Sequence, residues 1–309
     1  MSRRRRPAPG PPGLLLIDKP AGTTSAAATR AVGRRFRLDP VGHTGTLDPA
    51  ATGLLVVCTG YATRLVPWLQ EGEKVYVASI RFGTETTTCD GEGEVTRSAP
   101  PPADLLHSLT GILPHFTGVI TQVPPAYSAI RIDGQRAHTL AREGALDDAE
   151  MPPREVTIHS LQVLGVEGEE VELRVACSPG TYIRTLAVDL GRALDSAAHL
   201  SGLRRVRTGG FDIRDAVPLE DLLALDAPGA HWRPVPDALP GWVRRCLDDE
   251  ELVRVRNGGS VTATDPIEAG PVILTDAEGR AVAIGEIAGD GEGAHVAVRR
   301  LLTDVVQQS

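Results

Sequence analysis

Val41-Gly42-His43-Thr44-Gly45-Thr46-Leu47-Asp48-Pro49-Ala50-Ala51-Thr52-Gly53 is the most unusual stretch of the chain. Glycine, threonine and proline are too dense here for a stable helix or a central strand, so an ordered loop is predicted. Pro49 biases Asp48 toward an extended backbone, which holds its carboxylate in a fixed direction. One carboxylate and one imidazole, His43, on a rigid loop suit catalysis. They equally suit a turn in which Asp48 only caps local amides, and the loop by itself leaves both readings open.

Outward from the loop, Thr24 or Ser25 can cap a helix through AAATRAVGRRF on one side, and LLVVCT at 54–59 reads as a short buried strand on the other. GLLLID at 13–18 reads as a second buried strand, and 62–70 as a short helix broken or kinked at Pro67. From Lys74 the period becomes two. Tyr76, Ala78, Ile80 and Phe82 share one face and Val75, Val77, Ser79 and Arg81 the other, which predicts a central strand. Residues 83–102 are polar and turn-rich, a loop or hairpin; 118–153 read as an excursion from the core with a helical unit around His138–Arg142. EVTIHSLQVLGVEGEEVELRVACS gives two strands across a turn, and Ile183, Leu186, Ala187, Leu190 and Leu194 form one helical stripe.

Past Phe211 the character changes. Residues 216–245 are proline-rich, and LVRVRNG, PVILTDAEGR, AVAIGEI and HVAVRRL read as short strands of a small β-barrel or sandwich. The expected organisation is a disordered basic tail at 1–12, a main domain at 13–240, and a small β domain at 245–309.

The chain has 309 residues and a net charge of −8, which argues mildly against a surface that binds nucleic acid everywhere. Distribution matters more. Arg30, Arg34, Arg35 and Arg37 form one acid-free run, and Arg204, Arg205, Arg207 and Arg214 are set against only Asp212, so a local basic face on an acidic body is expected. A solvated charge run explains either cluster alone equally well. No apolar run approaches the roughly 20 residues of a membrane helix, and no signal-peptide core follows the N-terminal arginines, so a cytoplasmic protein is expected. Cys58, Cys89, Cys177 and Cys246 are widely spaced without a CxxC pair, which points to reduced, mostly buried thiols. With no ligand cluster and no G-x-G-x-x-G after a strand, neither metal nor nicotinamide is expected.

Arg184 falls in the first turn of its helix, where the macrodipole disfavours a cation. A cation there calls for an acidic partner or an anionic ligand, and Asp48 or a phosphate would serve, although a solvent-facing arginine is also compatible. Tyr76 shares its face with three apolar residues, so its ring belongs either to the core or to the edge of a pocket.

GHTGTLDPAATG at 42–53 resembles the catalytic loop of the TruB family, the bacterial pseudouridine synthases of the tRNA T-loop. The resemblance continues in order through Leu16-Ile17-Asp18-Lys19-Pro20-Ala21-Gly22-Thr23-Thr24-Ser25, Lys74-Val75-Tyr76 and Pro124-Pro125-Ala126-Tyr127-Ser128-Ala129. It extends to Cys177-Ser178-Pro179-Gly180-Thr181-Tyr182-Ile183-Arg184, Asp189-Leu190-Gly191 and Leu203-Arg204-Arg205. One departure lies at Thr84-Glu85-Thr86-Thr87-Thr88-Cys89-Asp90, where the family commonly has T-D-T-x-D; this puts a binding role for Glu85 in doubt.

The resemblance implies an α/β (α+β) catalytic core, a mixed and largely antiparallel sheet flanked by helices, with a thumb-like insertion at 118–153 and a PUA-like C-terminal β domain. It implies Asp48 as the catalytic carboxylate, Tyr76 as the aromatic that stacks on the target base, and Arg184 as the partner of the aspartate. Leu203 would be an apolar wall, His43 would place the extruded nucleotide, and Lys19, Arg204, Arg205 and Asp90 would complete the substrate contacts. The implied substrate is tRNA, held by its T-arm in the core and its acceptor end at the small domain, by a monomer that needs no cofactor. Moving C1′ from N1 to C5 of uracil loses no atom, and a carboxylate can serve it by a covalent adduct or a glycal; the residues do not choose. A lone carboxylate disfavours a glycosidase, which would want two. A non-catalytic tRNA-binding or folding protein on the same scaffold is the alternative, and Asp48 argues against it, since binding an anion needs no carboxylate. The guide-RNA branch is disfavoured because long basic extensions are lacking.

Overall fold

The computed structural model describes residues 11–128, 151–237, 241–263, 270–288 and 294–302, with 130–132, 135–137, 139 and 239. In chain order the first part contains β1 (Gly13–Lys19), α1 (Ser25–Phe36), β2 (Val41–His43), β3 (Thr52–Thr59), α2 (Val66–Gln70) and β4 (Lys74–Phe82). A hairpin of β5 (Thr84–Thr86) and β6 (Val95–Ser98) follows, then α3 (Leu105–Ile112), β7 (Gly118–Gln122) and the two-residue strands β8 (Arg131–Ile132) and β9 (Gln135–Arg136). β10 (Arg154–Glu167), β11 (Glu170–Cys177), α4 (Ile183–Ala193) and β12 (Ala198–Thr208) complete the core.

The main sheet runs from a short strand at Val217–Pro218 through β1, β3, β12, β4, β11, β10 and β7. It is mixed and largely antiparallel, as expected: β3 and β12 pair in parallel through Arg204↔Thr52 and Arg205↔Gly53, and β1 pairs in parallel with Val217–Pro218. β4 is central, with Tyr76, Ala78, Ile80 and Phe82 in one apolar cluster with Ile183, Leu186, Ala187 and Leu190 of α4. Each such apolar side chain removed from water contributes on the order of 2 kcal/mol, which locks α4 on the sheet. Thr24 caps α1 by accepting from the Ala27 amide, so the helix starts where the sequence places it.

Three readings need correction, and one strand, β12, has no counterpart in the sequence reading. β7 belongs to the main sheet, paired with β10, so the excursion starts after Gln122; the helical unit read at His138–Arg142 lies outside the described residues apart from Thr139. β12 lies at the heart of the sheet although AHLSGLRRVRT lacks a clean period of two, because register shifts at Leu200/Gly202 and Arg205/Arg207 interrupt the alternation. Pro67 does not break a helix but stands in the first turn of α2, after a 3-10 turn at Gly60–Leu65, where its missing N–H costs nothing. LVRVRNG, read as a strand, is the end of a helix at Asp249–Arg256, nucleated by a capping box between Asp248 and Glu251.

The C-terminal part is a curled, PUA-like five-stranded sheet in the order Val243–Cys246, Pro271–Thr275, Ala281–Ala288, His295–Leu301 and Val261–Thr262. It has no separate interior on one side. Ile273, Ala281, Ile284 and Leu302 share an apolar cluster with Leu14, Leu16, Leu54 and Val56 of the main sheet. Among the described residues Cys58, Cys89 and Cys177 are buried free thiols and Cys246 an exposed one, and no helix is long and apolar enough to cross a membrane.

Candidate active site

The loop between β2 and β3 is held from three directions. The Ser25 hydroxyl at the start of α1 donates to the Leu47 carbonyl (3.1 Å) and accepts from the Leu47 amide (2.8 Å). The Gly22 amide donates to the Pro49 carbonyl (2.9 Å), and the Ala51 amide to the Asp48 carbonyl (3.1 Å), which closes a turn around Pro49. From the sheet, the Thr44 amide reaches the Val56 carbonyl (3.1 Å), and Arg205 Nη2 donates to the Gly45 carbonyl (3.1 Å). Gly53 must be glycine: a Cβ there would stand 2.3 Å from the Arg205 carbonyl oxygen, at a φ of +103°.

The loop presents Asp48 to Arg184. Asp48 Oδ2 lies 3.0 Å from Arg184 Nε, and the aspartate side chain keeps 45% of its exposure while the arginine keeps 6%. Arg184 is anchored on its other edge, donating from Nη1 to the Thr88 carbonyl (3.1 Å) and from Nη2 to the Tyr127 carbonyl (2.9 Å). Asp90 Oδ2 stands 3.6 Å from the same Nη1, and its other oxygen accepts from the Thr88 hydroxyl and the Glu92 amide. One buried cation at the start of α4 thus ties two acidic loops together, against the macrodipole.

A cavity of about 330 Å³ opens beside this pair, walled by Asp48, Arg184, Tyr76, Leu203, Lys74 and Arg205 and rimmed by 179–183. The rim is strapped down by Gln122, whose side chain donates to the Tyr182 carbonyl (3.2 Å) and accepts from its amide (3.0 Å). Tyr76 is 7% exposed. Burial pushes its phenol up from its ordinary value, while Arg205, directly opposite across the β4–β12 pairing, opposes that shift by its charge and a hydrogen bond.

Asp48, Arg184, Tyr76 and Leu203 therefore converge on one cavity, and Asp90 touches it through Arg184. Of the other expected substrate contacts, Arg205 lies beneath the cavity, and Arg204, Lys19 and His43 lie outside its wall. Arg205 is 1% exposed, with Nε on the Leu54 carbonyl (2.8 Å), so it belongs to the floor of the cavity and not to a flanking phosphate face. Arg204 points away and pairs with Asp18. Lys19 has no exposed surface; its ammonium donates to the carbonyls of Pro20 (2.8 Å), Thr23 (2.7 Å) and Pro49 (3.3 Å), bracing the loop from behind. Burial lowers Lys19 to about 8, partly opposed by Asp48 and furthered by Arg205. His43 sits half-buried on β2 outside the cavity wall, and burial together with Arg205 holds its imidazole below its ordinary value.

Glu85 is a structural ion. Its buried carboxylate is bound by Arg97 (2.6 Å) and Arg192 (2.8 Å), at the place where the sequence departs from the expected pattern. The residues the sequence reading passed over are Lys74, 8% exposed and on the cavity wall, and Gln122. Lys74 enters the sequence reading only within the segment Lys74-Val75-Tyr76, with no role of its own.

Residues 34–183 match the family model for the N-terminal domain of TruB family pseudouridylate synthases. A single partly exposed carboxylate in a deep cleft of this mixed sheet, together with that match, defines a pseudouridine synthase. Residues 184–235 match the model of the tRNA pseudouridylate synthase B C-terminal domain, and the chain belongs to the TruB family. It is 41% identical over 296 residues to tRNA pseudouridine synthase B of Stutzerimonas stutzeri, covering 94% of this chain and 95% of the relative. The protein of the same name from Aromatoleum aromaticum is 42% identical over 304 residues, covering 96% and 95%. Among solved structures, a chain of a Cbf5-Nop10-Gar1 complex superposes with a TM-score of 0.71 at 26% identity, over 97% of this chain and 91% of that one. A chain of an H/ACA RNP bound to a substrate RNA superposes at 0.70 with 24% identity, covering 94% and 85%, a likeness of fold.

Proposed function

We propose that this enzyme isomerises the T-loop uridine of tRNA to pseudouridine in the cytoplasm, with Asp48 as the reacting carboxylate. The observation that carries the reading is the state of Asp48, oriented at 3.0 Å by a buried arginine yet still 45% exposed toward the cavity. A carboxylate that served only to cap its loop would be spent on amides. Here the amides of the loop go to Ser25 and to main-chain carbonyls, and the carboxylate has Arg184 for its ion-pair partner.

A uridine in a folded T-loop is stacked, so it must be extruded to enter a cavity of this size. Leu203 and the Tyr76 ring offer it apolar walls, and Asp48 stands at the mouth where C1′ would arrive. Asp48 then either captures C1′ or takes the C2′ proton, leaving a glycal, and returns it when C1′ joins C5. The exposed arginines of α1, Arg30 and Arg34 with neighbouring Arg37, are proposed to meet phosphates, and the C-terminal sheet to meet the acceptor end.

The test is pseudouridine formation on a T-arm stem-loop and on whole tRNA. Conversion of the T-loop uridine by the wild-type chain is expected. An RNA that binds and stays unconverted by the folded wild type would reject the reading in favour of a non-catalytic binding protein.

A further inference from the structure

Beneath the cavity lies an arrangement that orienting Asp48 does not require. Lys74 and Arg205 are both buried, both on the cavity wall, and so close that a side chain at Gly45 would meet Arg205 Nη1 at 3.3 Å and Lys74 Cε at 3.9 Å. Among the described residues neither makes an ion pair with a carboxylate. Lys74 Nζ donates to the carbonyls of Gln70 (2.8 Å) and Gly72 (3.1 Å); Arg205 donates to those of Leu54 (2.8 Å) and Gly45 (3.1 Å) and to the Tyr76 hydroxyl. Lys19, behind the loop, is likewise bonded only to carbonyls.

Burying like charges side by side without counter-ions is unfavourable, and carbonyl dipoles only partly replace the lost water. Burial first and the neighbouring Arg205 second bring Lys74 down to about 8, with Cys177 acting in the opposite sense. Such a pair has a use if an anion appears beside it. RNA phosphates are excluded, because the two side chains have almost no surface outside the cavity.

We infer that Lys74 and Arg205 form the anion-stabilising floor of the active site, holding the negative charge that uracil acquires when its glycosidic bond breaks. The inference rests on the proposed isomerisation. When C1′–N1 cleaves heterolytically, the bonding pair stays with N1 and the base becomes a monoanion with charge spread over O2 and O4. C1′ is met by Asp48, or C2′ gives up a proton that it later regains. After the base turns, C5 bonds to C1′, C5 loses its proton and N1 gains one, so the atoms balance. Neutral uracil gains little from the two cations and the detached anion gains much, which places their effect on the rate and not on binding.

Lys74 is the residue to test, because Arg205 also supports the loop. Its charge is faced by Arg205 from β12 and Cys177 from β11, Tyr76 and Asp48 share its cavity, and Glu73 precedes it in sequence. Lys74→Gln and Lys74→Arg are compared with wild type by single-turnover conversion of a T-arm stem-loop, by a binding titration of the same RNA, and by rate against pH. Lys74→Gln is expected to bind within threefold of wild type and to convert at least thirtyfold more slowly. Lys74→Arg is expected to stay within tenfold of wild type, and to keep its rate above pH 8 where the wild type, losing the Lys74 proton, declines. Lys74→Gln converting within threefold of wild type would overturn the inference. So would Lys74→Arg as slow as Lys74→Gln while folded and binding RNA, since the carbonyl contacts and not the charge would then matter. A wild type that converts no uridine is a different result and removes the proposed function itself.

Discussion

Two carboxylates are bound by arginines of the same helix, and they are built to opposite ends. Glu85 is held by Arg192 near the end of α4 and by Arg97, with both oxygens engaged and 6% of its side chain exposed. Asp48 is held by Arg184 at the start of α4, through one ion pair, with 45% of its side chain open to the cavity. Burial pushes the Glu85 carboxyl up, but hydrogen bonds and charge from Arg192 and Arg97 outweigh it and hold the group below its ordinary value. The difference separates a carboxylate used to close a fold from one kept unsaturated for a substrate.

The sharpest way to break this contrast is Asp48→Asn. The amide preserves size and the turn around Pro49, but it can neither capture C1′ nor exchange a proton, so single-turnover conversion should fall at least a thousandfold, about 4 kcal/mol of barrier, with RNA binding retained. Conversion within tenfold of wild type, about 1.4 kcal/mol, would refute the assignment. Arg184→Ala should act on both sides of the comparison. It leaves Asp48, Asp90 and two carbonyls without their donor, so conversion should drop about a hundredfold and the fold should lose about 2–3 kcal/mol, tempered because Asp48 meets water. Denaturant midpoints measured beside the rates would reveal an effect confined to one of the two.

Glu85→Gln should do the reverse. It should cost about 1–2 kcal/mol of stability, since Arg97 and Arg192 are themselves well exposed, and leave the conversion rate within threefold. The folded carboxyl is depressed, so its contribution is complete above the unfolded carboxylate range and fades as pH falls through the folded value. The stability gap between wild type and variant should therefore close on acidification, and a gap constant down to strongly acid pH would contradict the ion triad. The smallest effect belongs to the outer charges. Arg34→Ala should weaken RNA binding about twofold to threefold and lower the salt slope by about one, whereas Arg204, already paired with Asp18, should change the slope less. Equal slopes for both variants would place the two arginines in the same role.

The sequence made the Asp48 half of the comparison legible and hid the other half. Asp48, Pro49 and the glycine spacing declare a rigid loop by local backbone chemistry, and Arg184 stands out as a cation at the wrong end of its helix. The period of two from Lys74 likewise announces β4. Arg204 and Arg205 misled because adjacent arginines read as a surface run, while a strand sends successive side chains to opposite faces; one reached Asp18 and the other the cavity floor. β12 was hidden by its two register shifts, and the helix at Asp249–Arg256 by valines and leucine that suit a strand until the capping box is noticed. Lys74 and Lys19 stand in the quoted segments, but that both are buried and bonded to carbonyls instead of carboxylates shows only in the fold.

The apolar cluster that joins Leu54 and Val56 to Ile273, Ala281, Ile284 and Leu302 has a consequence for the order in which a newly made chain acquires its parts. Synthesis runs from the N terminus, and early segments fold as their partners emerge. The loop with Asp48 is translated ahead of its partners: Arg184 and Arg205 follow it by well over a hundred residues, and the cover over the strand leaving the loop ends at Leu302. A ribosome-bound chain paused near residue 240 would carry every residue of the cavity wall while Leu54 and Val56 still lacked part of their packing. The carboxylate is written early and set in place late.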